Sequence, residues 1–169
     1  MKYAFIGLPS SGKSTLAKDV FKHFSSIYVP EMARTYIESL ERPIEGKDNY
    51  RIAKLQSGLE NELSKSKDDI LICDVPVYLS AVYDHLYNDS KNVDKIMDLS
   101  KNHIYENVFH VIDSPEYKED GVRYQSKEDL WKIDKLIEKY NEGQNITQIK
   151  GIDRNKRIED VIDKILSYK

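Results

Sequence analysis

The sequence of 169 residues has one cysteine and no long apolar run. The single thiol of Cys73 cannot close an internal disulfide, which is typical of proteins kept in a reducing compartment. No apolar stretch approaches the roughly 18 to 20 residues that a membrane-spanning helix needs. Met1 and Lys2 lead directly into an apolar run, which leaves no room for a signal peptide. We therefore expect a cytoplasmic protein without a membrane partner.

The chain also lacks an excess of positive charge. It has 26 lysines and arginines against 29 aspartates and glutamates, and its formal net charge is -3. Proteins that bind nucleic acids mainly through electrostatics usually have a clustered basic surface. We therefore do not expect a nucleic-acid partner, although the composition leaves room for a local basic groove.

What the chain does contain is an alternation of short apolar runs and amphipathic helical patterns. The apolar runs predict strands at residues 3–6, 26–29, 70–73, 108–113 and 146–149. Helical spacing predicts helices at 14–24, 31–40, 50–65, 77–87, 93–102, 130–140 and 157–168. This alternation predicts an α/β fold, a three-layer αβα sandwich around a five-stranded, mainly parallel sheet. The length suits a single domain over residues 1–169, with its site at the carboxyl ends of the strands.

The most specific motif is the stretch Gly7-Leu8-Pro9-Ser10-Ser11-Gly12-Lys13-Ser14, which fits G-x-x-x-x-G-K-[ST]. It lies between the first predicted strand and the first predicted helix, the context that a phosphate-binding loop (P-loop) requires. Lys13 is placed to reach the β- and γ-phosphates of ATP, and the Ser14 hydroxyl to ligate Mg²⁺. The alternative is a Gly/Ser turn before an ordinary helix. We expect ATP to contact Gly7, Pro9, Ser10, Ser11, Gly12, Lys13, Ser14 and Thr15.

An acid follows the third predicted strand, at Asp74. In P-loop proteins an Asp in this position commonly assists Mg²⁺ or its water, and the position also suits a catalytic carboxylate. The alternative is a helix cap, because Val75-Pro76 is a suitable helix start. With the P-loop present we expect Asp74 in the site. Cys73, just before it, is expected to be a buried strand residue rather than a nucleophile.

Two further segments supply candidate charged residues. Glu31 and Arg34 are three residues apart on the second predicted helix, so they share one face near a strand end. Spacing alone is equally compatible with a surface ion pair.

The polar stretch at about 114–126 contains Gly121 and Arg123 and is typical of a loop. We expect it to close over the phosphates as a lid with Arg123 stabilising the transferring group. The alternative is an ordinary solvated loop.

Together these motifs resemble the ribosylnicotinamide kinase domain of NadR-type NAD-salvage proteins, within the AAA-like P-loop kinases. The resemblance lies in the P-loop, in Pro30-Glu31-Met32-Ala33-Arg34-Thr35-Tyr36, in Gln56 on a long helix, in Asp74, and in Glu119-Asp120-Gly121-Val122-Arg123. Where that family tends to have aspartate-threonine-aspartate, this chain has Asp74-Val75-Pro76. If the missing acid orients the acceptor, the substrate here differs.

The resemblance implies that the γ-phosphoryl group of ATP is transferred, with Mg²⁺, to nicotinamide riboside or a related nucleoside or nucleotide. It implies three sets of site residues: Lys13, Asp74 and Arg123 for catalysis, Ser14 and Asp74 for the metal, and Glu31, Arg34, Gln56 and Asp74 for the acceptor.

Two other functions are compatible with the sequence. A polynucleotide 5′-hydroxyl kinase uses similar parts but needs a basic track for its strand, and we find none in this acid-rich chain. A regulatory P-loop ATPase would hydrolyse ATP slowly and without an acceptor. A GTPase is not expected, because the sequence lacks the N-K-x-D motif that reads guanine.

Overall fold

The structure is a computed structural model that describes residues 1–66, 70–113 and 126–168. Its strands are β1 (Lys2–Gly7), β2 (Ile27–Val29), β3 (Leu71–Cys73), β4 (Asn107–Val111) and β5 (Ile146–Ile149). Its helices are α1 (Lys13–His23), α2 (Met32–Glu38), α3 (Asp48–Leu63), α4 (Leu79–Tyr87), α5 (Val93–Ser100), α6 (Lys127–Tyr140) and α7 (Arg154–Leu166). None of the helices described is long and apolar enough to cross a bilayer.

The five strands form one parallel sheet in the order β2-β3-β1-β4-β5. The central strand is β1, where Tyr3 pairs with Ile72 of β3 on one side and with Asn107 of β4 on the other. The chain runs outward from β1 to the edge strand β2, returns to β3, and then crosses to the other side of β1. The order reverses at β1, so the loops that follow β1 and β3 lie side by side at the carboxyl edge of the sheet. The predicted five-stranded α/β fold is confirmed.

Side chains of the central strand alternate between two apolar cores. Tyr3 and Phe5 belong to the core shared with α1 and α7, whereas Ala4 and Ile6 belong to the core shared with α3, α4, α5 and α6. A parallel sheet needs cover on both faces because its strands are apolar on both. Cys73 is fully buried in the second core, and this burial raises the pKa of its thiol well above the ordinary value. Cys73 is therefore a core residue, as predicted.

Helices α6 and α7 begin a full three residues earlier than their apolar pattern predicts. Helix α6 starts at Lys127 because Ser126 and Asp129 form a reciprocal capping box: the Ser126 hydroxyl accepts from the Asp129 N–H, and the Asp129 carboxylate accepts from the Ser126 N–H. Helix α7 starts at Arg154 because the Asp153 carboxylate accepts from the N–H of Lys156 at 2.8 Å. Apolar spacing marks only the buried face of a helix, so it misses a polar first turn.

Candidate functional site

The loop between β1 and α1 has a sharply bent backbone. Ser10 has a φ of 63° and Gly12 a φ of 85°, both in the left-handed region, and the Ser11 N–H donates to the Leu8 carbonyl at 3.2 Å. Helix α1 begins immediately afterwards, at Lys13. The first N–H groups of a helix lack helical partners, and a bent loop before them forms a concave donor surface. This arrangement suits a phosphate group.

Gly7 lies against the neighbouring strand at the end of β1. A Cβ atom at this position would lie 2.5 Å from the carbonyl oxygen of Val111, and the φ of Gly7 is 154°. Neither the strand backbone nor this φ accommodates a side chain without a shift.

We therefore expect Gly7→Ala to destabilise the protein by about 1–3 kcal/mol, the usual effect of forcing an added carbon into a packed site. Gly58→Ala is the control, because Gly58 lies within α3 and a Cβ there would meet nothing within 4 Å. This control should stabilise the helix by roughly 0.5–1 kcal/mol, since alanine is the better helix former. Urea unfolding measures both free energies, and a stable Gly7→Ala protein would contradict the close approach to Val111.

The ammonium group of Lys13 lies within the loop itself. Its side chain is buried, and its Nζ donates to the Leu8 carbonyl at 3.4 Å. The positive charge of Lys13 also lowers the pKa of the Asp74 carboxyl, so the two groups are close enough to interact. Among the other loop residues, Pro9 and Ser11 are buried and Thr15 is exposed.

Asp74 faces the P-loop from the end of β3. Only 4% of its surface is exposed, and its Oδ2 accepts a hydrogen bond of 2.9 Å from the hydroxyl of Tyr28. Within the described part of the chain its buried Oδ1 has no hydrogen-bond partner. Burial raises the pKa of the Asp74 carboxyl, and the negative charge of Glu31 raises it further, while the Ser14 hydroxyl, Tyr28 and Lys13 oppose the shift. Asp74 and Ser14 are therefore neighbours, and their predicted role as metal ligands stays a prediction.

Asp74 is not the cap of the following helix. Helix α4 begins at Leu79, and its N-cap position is Tyr78, whose side chain makes no capping hydrogen bond. The alternative role suggested by Val75-Pro76 is therefore wrong. Tyr28, in contrast, has a contact that sequence reasoning did not foresee, because a tyrosine in a short edge strand has no pattern that links it to a distant aspartate.

A pocket of about 130 Å³ opens beside the segment that follows Asp74. Its polar lining consists of Glu31, Arg34, Asn49, Gln56 and Ser80. Its apolar lining consists of Ala33, Ile37, Ile44, Ile52, Val75, Pro76, Leu79, Tyr83 and Tyr87. The fold therefore brings together three of the four predicted acceptor residues, Glu31, Arg34 and Gln56. The fourth, Asp74, is not among the residues that line this pocket. Their contact with an acceptor remains a prediction.

Gln56 also supports the backbone around this pocket. Its Oε1 accepts a hydrogen bond of 3.0 Å from the N–H of Met32, the first residue of α2. Its Nε2 donates to Glu60 at 3.5 Å. The amide is thus held in one orientation between α2 and α3, and it fixes the start of the helix that follows Glu31.

The predicted lid at 114–126 lies outside the described residues, apart from Ser126 at the start of α6. Arg123 is among the residues not described, so its predicted role in closing over the phosphates remains an expectation from the sequence.

Comparison with known proteins gives a family and a set of related folds. A family model described as an AAA domain matches residues 2–154. No curated protein is a significant match. Among solved structures, a NadR protein in complex with NR has a TM-score of 0.84 at 18% identity, over 99% of this chain and 51% of that chain. A NadR protein in complex with NAD and AMP-PNP has a TM-score of 0.79 at 15% identity, over 99% and 50% of the two chains.

Two kinases of similar length share the fold as well. Deoxyadenosine kinase from M. mycoides, with products dCMP and dCDP bound, has a TM-score of 0.69 at 16% identity, over 99% of this chain and 100% of that chain. Thymidylate kinase from Ehrlichia chaffeensis has a TM-score of 0.67 at 16% identity, over 98% of each chain. This chain therefore spans about half the length of the NadR chains and nearly the whole length of these two kinases. At such identities the likeness concerns the fold, and at that level the resemblance predicted from the motifs is confirmed.

Proposed function

This chain belongs to the AAA domain family, and from that premise we propose that it is an ATP- and Mg²⁺-dependent kinase of a small nucleoside or nucleotide. The observation that carries the proposal is the buried carboxyl of Asp74, which interacts with Ser14 and Lys13 of the P-loop and directly precedes the segment that lines a pocket. A phosphate-binding loop, a carboxylate and a place for the acceptor are the parts that phosphoryl transfer needs.

ATP binding is supported by the loop geometry. The backbone bends at Ser10 and Gly12 just before the unpaired first N–H groups of α1, and Lys13 supplies a positive charge there. A NadR protein of the same fold was solved with AMP-PNP. We propose that Gly7 and the residues from Pro9 to Thr15 hold the triphosphate, with the ammonium of Lys13 on its terminal phosphates.

The residues present fit a magnesium ion. The Oδ1 atom of Asp74 is buried and has no hydrogen-bond partner among the described residues, and the Ser14 hydroxyl adjoins the same carboxyl group. Magnesium prefers oxygen ligands and is usually held by one or two protein groups together with substrate phosphates and water. When bound by Ser14 and Asp74, the ion would neutralise charge on the β- and γ-phosphates.

The acceptor would lie in the pocket lined by Glu31, Arg34 and Gln56. Its hydroxyl would attack the γ-phosphorus, the bond from that phosphorus to the bridging oxygen would break, and ADP would leave. Asp74 is suited to accept the hydroxyl proton when it is not bound to the metal, because burial raises its pKa above that of an ordinary aspartate. In this scheme the transferring group is stabilised by Lys13 and by Arg123 of the lid.

Nicotinamide riboside or a related nucleoside is the acceptor that we propose. Apolar and aromatic walls, including the stacked rings of Tyr83 and Tyr87 at 6.5 Å, suit a flat heterocycle. The polar residues of the lining suit ribose hydroxyls. A NadR protein of the same fold was solved with NR, and deoxyadenosine kinase, which shares the fold, was solved with deoxynucleotides.

The experiment that tests the proposal is ATP consumption with Mg²⁺ across a panel of acceptors. The panel contains nicotinamide riboside, the common ribo- and deoxyribonucleosides, their monophosphates and a 5′-hydroxyl oligonucleotide. We expect one small acceptor to raise turnover, and its phosphorylated product to be seen by mass spectrometry. Stimulation by the oligonucleotide alone would instead support a polynucleotide kinase. Slow hydrolysis that no acceptor changes would support a regulatory ATPase.

A further inference from the structure

A buried arginine joins the P-loop to two neighbouring loops. Arg157, on the first turn of α7, has 6% of its surface exposed. Its Nη1 donates to the carbonyl of Ser11 at 2.9 Å, its Nε to the carbonyl of Gly151 at 2.6 Å, and its Nη2 to the carbonyl of Asp113. One planar guanidinium therefore connects the P-loop to the ends of the two strands on its far side.

All three hydrogen bonds of Arg157 go to carbonyl oxygens, and the carboxylate of Asp113 accepts from the Gly151 N–H instead. In the ranges that the structure describes, Arg157 forms no ion pair with a carboxylate. A buried cation without a paired acid is unfavourable, and a nearby anion lowers its free energy. The guanidinium lies directly behind the loop, because a Cβ on Gly12 would lie 3.4 Å from its Nη1. An anion on the P-loop would therefore be within range of this charge.

The hydrogen bond to Ser11 also orients the next peptide. A trans peptide is planar, and its C=O and N–H point in opposite directions. Because the Ser11 carbonyl points toward Arg157, the N–H of Gly12 points away from α7, to the other side of the loop. The first turn of α1 leaves its N–H groups without helical partners just after Gly12.

We propose that Arg157 is a positioning residue for the phosphate-binding loop. Its guanidinium holds the peptide between Ser11 and Gly12 so that the Gly12 N–H faces a bound polyphosphate, and its buried charge stabilises that anion. The inference rests on the proposed binding of ATP, but it is independent of the identity of the acceptor. The sequence gives no sign of this role, since Arg157 falls on a helix whose polar positions are otherwise surface residues.

A second arginine on the same helix provides a matched control. Arg154 is exposed, and its Nε and Nη2 bind the two carboxylate oxygens of Asp19 at 2.7 and 2.8 Å. It joins α7 to α1 on the surface, whereas Arg157 joins α7 to the P-loop and to the segments that follow β4 and β5. The loss of Arg154 therefore measures how much a surface contact between α7 and α1 affects ATP affinity.

The test is the dissociation constant of Mg²⁺-ATP, measured by calorimetry well below the unfolding temperature of each variant. A variant that is merely less stable keeps its affinity under this condition. We expect Arg157→Met to weaken ATP binding about 10- to 100-fold, the range of a lost hydrogen bond from a charged donor. Arg157→Lys keeps the positive charge but loses the planar guanidinium that makes three hydrogen bonds. It should therefore weaken ATP binding less than Arg157→Met does, but still by at least about threefold. Arg154→Met should stay within about twofold of wild type.

Unchanged affinity in a folded Arg157→Met protein would overturn the inference and leave the proposed kinase intact. If Arg157→Met does not fold, Arg157→Lys decides the matter, and wild-type affinity in that variant would overturn the positioning role. Failure of the wild-type protein to bind ATP would overturn the proposed function and this inference with it.

Discussion

Lys13→Ala should lower phosphoryl transfer by about 10²–10³-fold, the usual effect of removing one group that stabilises developing charge. The Nζ of Lys13 lies at the carbonyl of Leu8, inside the loop proposed to hold the phosphates. The residue is also the first of α1, where alanine is compatible with the helix. The variant should therefore remain folded and lose its chemistry.

Turnover with the best acceptor, followed as ADP release, measures this effect, and circular dichroism checks the fold. Lys22→Ala is the control, since Lys22 lies on the same helix with an exposed side chain and a 3.8 Å contact to Asp19. It should turn over like wild type. Near-wild-type turnover in Lys13→Ala would remove the P-loop lysine from the mechanism.

Asp74→Asn should lower turnover by about 10²–10⁴-fold, the range for loss of a general base. The substitution keeps the shape of the side chain, and its amide oxygen still accepts from Tyr28. What it removes is the negative charge beside Ser14 and Lys13. A large effect from so small a change would locate the chemistry at this carboxyl.

Magnesium dependence separates the two roles proposed for Asp74. If the carboxylate mainly ligates the metal, the Mg²⁺ concentration for half-maximal turnover should rise in Asp74→Asn. If it mainly accepts the proton, that concentration should stay the same while the maximal turnover falls. Asp84→Asn is the control for loss of a buried carboxylate, because Asp84 is fully buried but bonded to Asn88 and Asn92 in the turn between α4 and α5. It should lose stability and keep its Mg²⁺ dependence.

The loss of wild-type activity at low pH should also reflect the protonation of Asp74. Burial and Glu31 raise the pKa of this carboxyl, so the ionised form that accepts a proton is lost as pH falls through a value above that of an ordinary aspartate. The kcat/KM for Mg²⁺-ATP, which reports the free enzyme before the metal binds, should decline over that range. Asp74→Asn should lack this decline, and an identical decline in the variant would assign the titration to another group.

The phosphate-binding loop was predictable because its signal is local. Gly7 to Ser14 is a continuous stretch, and the glycines, the lysine and the serine have their roles from neighbours within one turn of backbone. The order of strands and helices was predictable for the same reason, since periodicity is read within a few residues. The first residues of α6 and α7 were not predictable in this way, because Ser126 and Asp153 extend the two helices through capping hydrogen bonds.

The sequence by itself determined the fold class, the P-loop and the expectation that Asp74 adjoins it, because these follow from short-range pattern and from the geometry of parallel sheets. Only the tertiary structure determined which side chains from distant positions contact Asp74 and the P-loop. The bond from Tyr28 to Asp74 joins positions 46 apart, and the bond from Arg157 to Ser11 joins positions 146 apart. Such contacts depend on strand order and on how α7 packs against α1, and no local pattern of residues specifies them.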